Sequence, residues 1–184
     1  MKRLFAECEK AQYTFKRVHF FGSDFSKLVE DKERRETLLN TLLTFPQNIS
    51  YSGEASQYLL SNCCTIATKI IGKKAKKSDN GVRTLMYYLD DGVYTSFFCV
   101  KLDNAQLCPK PVRVKSVGKY DDSVRYTTTI WGPTCDSIDC LGDNFELPEL
   151  DIDDWIFFEG AGCQCTTMST GFNGMADPDS FFNN

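Results

Sequence analysis

The chain has 184 residues, 42% hydrophobic and 13% aromatic, so it can bury a core of one domain or slightly more, and global disorder is excluded. Its net charge of −4 argues against general nucleic-acid binding. No stretch approaches the ~20 apolar residues of a bilayer span, and the start MKRLFAECEKAQY has no apolar signal region. The nine cysteines therefore read as reduced thiols of a cytoplasmic protein.

Residues 1–17 place Leu4, Phe5, Cys8, Ala11 and Phe15 on one helical face. A short apolar run at 18–21 predicts a strand. Asp24 is a candidate cap for a second helix, with Phe25, Leu28, Val29, Leu38, Leu39, Leu42 and Leu43 inward and Pro46 at its end. Residues 47–51 predict another strand. From 54 to 71, Leu59, Leu60, Cys63, Ala67, Ile70 and Ile71 fit a buried helical face, which makes Cys63-Cys64 packing residues. The basic run Lys73-Lys74-Ala75-Lys76-Lys77 then suits a helix C-terminus, where cations meet unpaired carbonyls, ahead of the alternative of a nuclear or phosphate-binding patch.

The texture changes at Ser78, where the chain becomes polar and turn-rich. Strands are predicted at 84–89, 94–102, 112–117, 125–130, 155–158 and 165–168. Asp91-Gly92 between the first two signals a hairpin. The run 149–154 reads as a solvated acidic turn, and Trp131 and Trp155 as core aromatics. Residues 1–75 thus alternate helix with strand, and residues 81–184 are mostly β.

On the residues alone, Cys135 and Asp91 stay ambiguous. A free cysteine is most often small apolar filler, and Asp is favoured in turns anyway. A zinc site from Cys135, Cys140, Cys163 and Cys165 would need an atypical Cys-x4-Cys plus Cys-x-Cys spacing.

Four blocks in order, MYYLDDGVYTSF (86–97), IWGPTCDSID (130–139), LPELDIDDWIFFEGAG (147–162) and FNG (172–174), resemble the C-terminal half of the ornithine decarboxylase and antizyme inhibitor family. The match spans roughly residues 84–174. Residues 54–74 resemble the family's last barrel strand and the helix linking it to the sheet domain. Residues 1–53 match weakly. The resemblance implies a mostly β C-terminal sheet domain, a Greek-key-like barrel, preceded by a remnant of the last units of a (β/α)8 barrel. The expected divisions are 1–53, 54–80 and 81–184.

The resemblance implies the following: the catalytic members use pyridoxal phosphate to decarboxylate ornithine to putrescine, at sites shared between two chains of a dimer, and antizyme inhibitors are their non-catalytic relatives. The barrel of one chain brings the Schiff-base lysine, and the sheet domain of the other brings a cysteine and aspartates. Carried over residue by residue, Asp91 matches the acid facing the substrate's distal amine, Cys135 the thiol controlling protonation after CO2 leaves, and Asp136 the neighbouring substrate-facing acid. Glu54 matches the acid that pairs with the pyridine nitrogen.

Other positions depart from the pattern. The phosphate loop reads HFFGSD at 19–24, with Phe21 and Ser23 in place of glycines. Gln57 replaces the phosphate-clamping arginine, and Gln164 a phosphate-binding tyrosine. None of Lys69, Lys73, Lys74, Lys76 or Lys77 matches the Schiff-base lysine. Charged hydrogen bonds are worth about 1.5–3 kcal/mol each, so these losses should remove useful cofactor affinity.

The resemblance therefore implies a paralogue of polyamine biosynthesis that binds no cofactor alone and serves as dimer partner or regulator. A heterodimer with full-length ornithine decarboxylase, or self-association, is expected; tight antizyme binding is not. A second reading makes it an enzyme in trans, lending its half-site to another chain's barrel. A third makes it a decayed fragment.

Overall fold

The structure is a computed structural model and describes residues 2–14, 16–20, 31–54, 59–77, 81–102, 105–162 and 166–182. Two compact units divide the chain between Ser61 and Asn62.

In the first unit, α1 (Lys2–Lys10) is followed by β1 (Arg17–Phe20), α2 (Lys32–Leu43) and β2 (Ser50–Gly53). β1 and β2 pair in parallel, Arg17 opposite Ser50 and Phe20 opposite Gly53. Parallel strands need a crossover, and α2 lies within it. Asp31 caps α2, its carboxylate accepting from the Arg34 N–H at 2.9 Å. The small core holds Phe45 and Ile49, with Phe5 edge-on to Phe45 at 5.2 Å. α2 itself buries nothing, and Leu39 and Leu43 lie exposed, against the inward face expected for its leucines. A two-stranded sheet offers too little apolar surface to cover a helix of this length. Asp24, Phe25, Leu28 and Val29 lie outside the described residues.

The second unit is built on six strands in the order β5-β8-β3-β4-β6-β7. They are β3 (Thr65–Lys77), β4 (Arg83–Leu89), β5 (Pro109–Val112), β6 (Tyr126–Trp131), β7 (Cys140–Leu147) and β8 (Trp155–Glu159), with a short α3 (Cys99–Leu102) after β4. Ile70, Tyr87, Phe97, Ile130, Ile156 and Phe158 form the centre of the core. The two prolines of β5 sit on an edge strand, where a missing N–H is tolerated.

Several expectations are corrected here. The helix read over 54–71 is strand from Thr65 onward. Ile66, Thr68 and Ile70 alternate inward, and the Thr68 hydroxyl satisfies itself on the Ile156 carbonyl at 2.9 Å. A β-branched run favours this pleat, whereas the spacing of Ala67, Ile70 and Ile71 imitates a helical face. Cys63 and Cys64 precede the strand and are exposed rather than packed. The lysine run is the end of β3, not a helix terminus, and Lys73 pairs with Glu149 at 3.0 Å.

Asp91-Gly92 does not turn a hairpin, and residues 94–102 are turns and α3 rather than strand. Both edges of β4 are already taken, by antiparallel β3 and parallel β6, so the departing chain has no edge to join. The strand read over 112–117 ends at Val112, because the following amides wrap the Asp154 carboxylate. β7 is a strand not foreseen. Residues 166–168 form a 3-10 turn, and residues 163–165 lie outside the described residues.

The acidic run is not a solvated turn. Glu149 and Asp154 are buried, Glu149 against Arg83 and Lys73, and Asp154 on the N–H groups of Val114, Lys115 and Asp151. Trp131 and Trp155 are half-buried rather than fully in the core.

Candidate functional site

β4 and β6 run parallel, with Tyr88 opposite Trp131. Parallel strands end at the same side of a sheet, so the segment after Leu89 and the segment after Trp131 emerge together. Asp91 and Gly92 leave β4 there. Gly132, Pro133, Thr134, Cys135 and Asp136 leave β6 there. A Cβ placed on Gly92 would stand 2.9 Å from the Pro133 ring, so the two loops are in contact.

Asp139 joins them. It is fully buried, and its carboxylate accepts from the Val93 N–H at 2.9 Å in one loop, then from the Thr134 N–H at 2.9 Å and hydroxyl at 2.7 Å in the other. Its backbone carbonyl accepts from the Gly132 N–H at 2.8 Å. A buried carboxylate is tolerated only when its oxygens are satisfied, and here donors converge from both sides.

Asp91 is nearly buried. Its Oδ1 accepts from the Gly92 N–H at 2.7 Å, the Ser96 N–H at 3.1 Å and the Thr95 hydroxyl, closing the turn on itself. Among the described residues Oδ2 has no hydrogen-bond partner. The adjacent Ser96 hydroxyl is fully buried and unpartnered among the described residues.

Asp136 is half-exposed. Its Oδ1 accepts from the Ile138 N–H at 2.9 Å and its Oδ2 from the Tyr94 hydroxyl at 2.5 Å. The Ile138 amide first, and then the Tyr94 hydroxyl, hold its carboxyl below the usual carboxylate range. The same hydrogen bond pushes the Tyr94 phenol up to about 12, so it is a donor at neutral pH. Phe172 stacks on the Tyr94 ring at 4.1 Å, and Thr170 donates both its N–H, at 2.8 Å, and its hydroxyl, at 3.1 Å, to the Tyr94 carbonyl. Between Thr134 and Asp136, both fixed, Cys135 projects as an exposed free thiol.

The structure thus brings Asp91, Cys135 and Asp136 onto two touching loops. Glu54 lies in the other unit, exposed at the end of β2, its N–H on the Phe20 carbonyl at 2.9 Å. Gln57 and Gln164 lie outside the described residues, as do Phe21 and Ser23. So do Cys163 and Cys165 of the zinc reading; among the described residues no cluster of three or more His, Cys, Asp or Glu side chains could hold a metal. No described helix is long and apolar enough to cross a membrane.

Sequence reasoning missed the roles of Asp139, Tyr94 and Phe172. Nothing local marks Asp139 as the tie, since the Val93 amide it accepts from lies 46 positions away.

The family model for the C-terminal sheet domain of pyridoxal-dependent decarboxylases matches residues 50–162. The chain is 35% identical over 174 residues to ornithine decarboxylase of Cricetulus griseus, covering 89% of this chain and 37% of that one. It is 31% identical to antizyme inhibitor 2 of Xenopus laevis, covering 83% and 36%. It therefore spans little more than a third of the length of these relatives. Among solved structures it superposes on the Paramecium bursaria Chlorella virus arginine decarboxylase bound to agmatine with a TM-score of 0.69 at 22% identity, over 95% of this chain and 46% of that one. The lysine/ornithine decarboxylase from Vibrio vulnificus complexed with cadaverine gives 0.68 at 19%, over 95% and 46%. At these identities the superpositions establish the fold.

Proposed function

From the premise that this chain belongs to the pyridoxal-dependent decarboxylases, through the C-terminal sheet domain matched over residues 50–162, we propose that it is an ornithine decarboxylase-like protein of polyamine metabolism that works as a pairing subunit. It lends a sheet-domain half-site to a full-length decarboxylase chain. One observation carries this reading: buried Asp139 locks the Asp91 turn to the Thr134-Cys135-Asp136 loop. A buried carboxylate with three donors is a costly device for a surface without a task.

In the half-site, Asp91 and Asp136 supply two carboxylates to a substrate's distal ammonium. Such a cation needs charged partners when it leaves water. The Cys135 thiol is an exposed group able to hold or release a proton at Sγ toward a site on the facing chain.

The described residues do not themselves fit a pyridoxal phosphate site. Glu54 is exposed at the end of a two-stranded sheet, and Lys73 is committed to Glu149 at 3.0 Å. We therefore assign the cofactor to the partner's barrel.

The test is the mass in solution, by light scattering, of this chain alone and mixed with full-length ornithine decarboxylase. A defined heterodimer is expected, and two unmixed species would overturn the reading. Cys135→Ala then separates lending a half-site from regulation by pairing alone. It should lower activity in trans by about 100-fold and leave pairing intact.

A further inference from the structure

We propose that Tyr94 is a positioning residue for Asp136: its hydroxyl, clamped from behind by residues 170–172, sets the plane in which the Asp136 carboxylate meets an alkylammonium group. This deepens the half-site reading above and rests on it for the identity of the amine.

A carboxylate torsion is broad and two-fold, so an aspartate on an exposed loop swings freely about its last bond. Asp136 is denied that freedom. One oxygen is held by the Ile138 N–H, from its own loop, at 2.9 Å. The other is held by the Tyr94 hydroxyl, from the loop after β4, at 2.5 Å. Two donors from different segments, one on each oxygen, fix a plane rather than a single bond.

Tyr94 is held in turn. Phe172 stacks on its ring at 4.1 Å with the planes inclined by 29°, and Thr170 takes its carbonyl with both N–H and hydroxyl. The segment bearing Phe172 is therefore a third wall of the half-site, joined to it through Tyr94.

The arrangement leaves acceptor capacity for a ligand. Each carboxylate oxygen accepts about two hydrogen bonds, so an ammonium with three donors can join Asp136 without displacing the phenol. The phenol stays protonated at neutral pH and never places a second negative charge beside the carboxylate. A fixed acceptor plane also discriminates by length, because the amine must arrive at one place.

The experiment uses Tyr94→Phe, which keeps the ring and its stack, in the full chain. Its first arm is 13C NMR titration of the Asp136 carboxyl in the chain alone. The midpoint is expected to rise on loss of the phenol, and an unmoved midpoint overturns the proposal. The second arm pairs the variant with a full-length ornithine decarboxylase disabled at its own matching thiol, so that only the hybrid site turns over. One lost charged hydrogen bond predicts a KM for ornithine raised about tenfold with kcat within about twofold. A fall in kcat at unchanged KM, or no change in either, overturns the role in amine placement. Phe172→Leu should shift KM in the same direction by a smaller factor, and an unchanged KM there overturns the clamp. If the wild-type pair has no activity, the half-site reading fails, and the NMR arm still decides whether Tyr94 holds Asp136.

Discussion

The carboxylate of Asp139 lies where a side chain on Gly132 would begin: a Cβ added to that glycine would stand 2.5 Å from Asp139 Cγ. Gly92 faces the same group from the other loop, its Cβ position 3.0 Å from Asp139 Cγ. The two glycines therefore make the space in which one buried carboxylate ties two loops together. Gly132→Ala must push that carboxylate off its donors on Val93 and Thr134. We expect a loss of about 3 kcal/mol, the sum of a steric clash and unsatisfied buried groups. It would be read as a lower urea midpoint at unchanged slope.

Cys135 makes the opposite prediction. Its thiol is exposed, so Cys135→Ala should change stability by no more than about 0.5 kcal/mol. If the thiol handles a proton in trans, the same variant should cost about 100-fold in the turnover of the hybrid with a full-length decarboxylase. Paired urea titration and CO2-release measurements check both halves.

This contrast bears on what could be read from the chain. The blocks around Asp91 and Cys135 were legible as candidate loops because the residues of each are contiguous. The bond between the loops was not. Asp139 and Val93 are 46 positions apart, and no local pattern marks an acid as buried. The same reason hid the acidic run, whose Glu149 finds Arg83 across 66 positions. β3 failed for a different reason. Its inward residues are Ile66, Thr68 and Ile70, and the polar Thr68 breaks the visible alternation, while Ala67, Ile70 and Ile71 imitate a helical stripe. The false hairpin at Asp91-Gly92 shows the limit of turn chemistry. The dipeptide permits a reversal, but whether a strand follows depends on a free edge, and β6 had taken it.

The buried acids predict a response to pH. Burial pushes the Asp154 carboxyl up, but the Ser116 hydroxyl and the N–H groups of Asp151, Val114 and Lys115 outweigh it and hold the group at about 2, against 3.8 ordinarily. The folded value is depressed, so the unfolded chain takes the proton first as pH falls. The stabilisation is complete above about pH 4 and is lost on the way down to about pH 2, roughly 2 kcal/mol from this group. Asp154→Asn should be less stable than the wild type at pH 7, and the gap should narrow by about that amount at pH 2. Urea midpoints across this range measure it; a gap that stays constant would remove Asp154 as the cause.

Glu149 tests how a buried charge is kept. Arg83 grips its carboxylate with two nitrogens at 2.5 and 2.6 Å, and Lys73 reaches it at 3.0 Å with only 14% of its side chain exposed. Burial pushes the Glu149 carboxyl up, but these two cations outweigh it and hold the group below its usual range. Removing the acid strands Lys73 more than Arg83, because the arginine side chain is 39% exposed and can turn to water. Lys73 keeps the Tyr120 hydroxyl at 3.1 Å and Asp151 at 3.8 Å, neither of which replaces a close carboxylate. Glu149→Gln should therefore cost about 3 kcal/mol. Lys73→Met alone leaves Glu149 with its bidentate arginine and should cost less. The double variant Lys73→Met with Glu149→Gln should cost less than the two single losses added, because each single change leaves the other charge uncompensated. A double-mutant cycle in urea measures the difference; strict additivity would mean that solvent, not Glu149, balances Lys73.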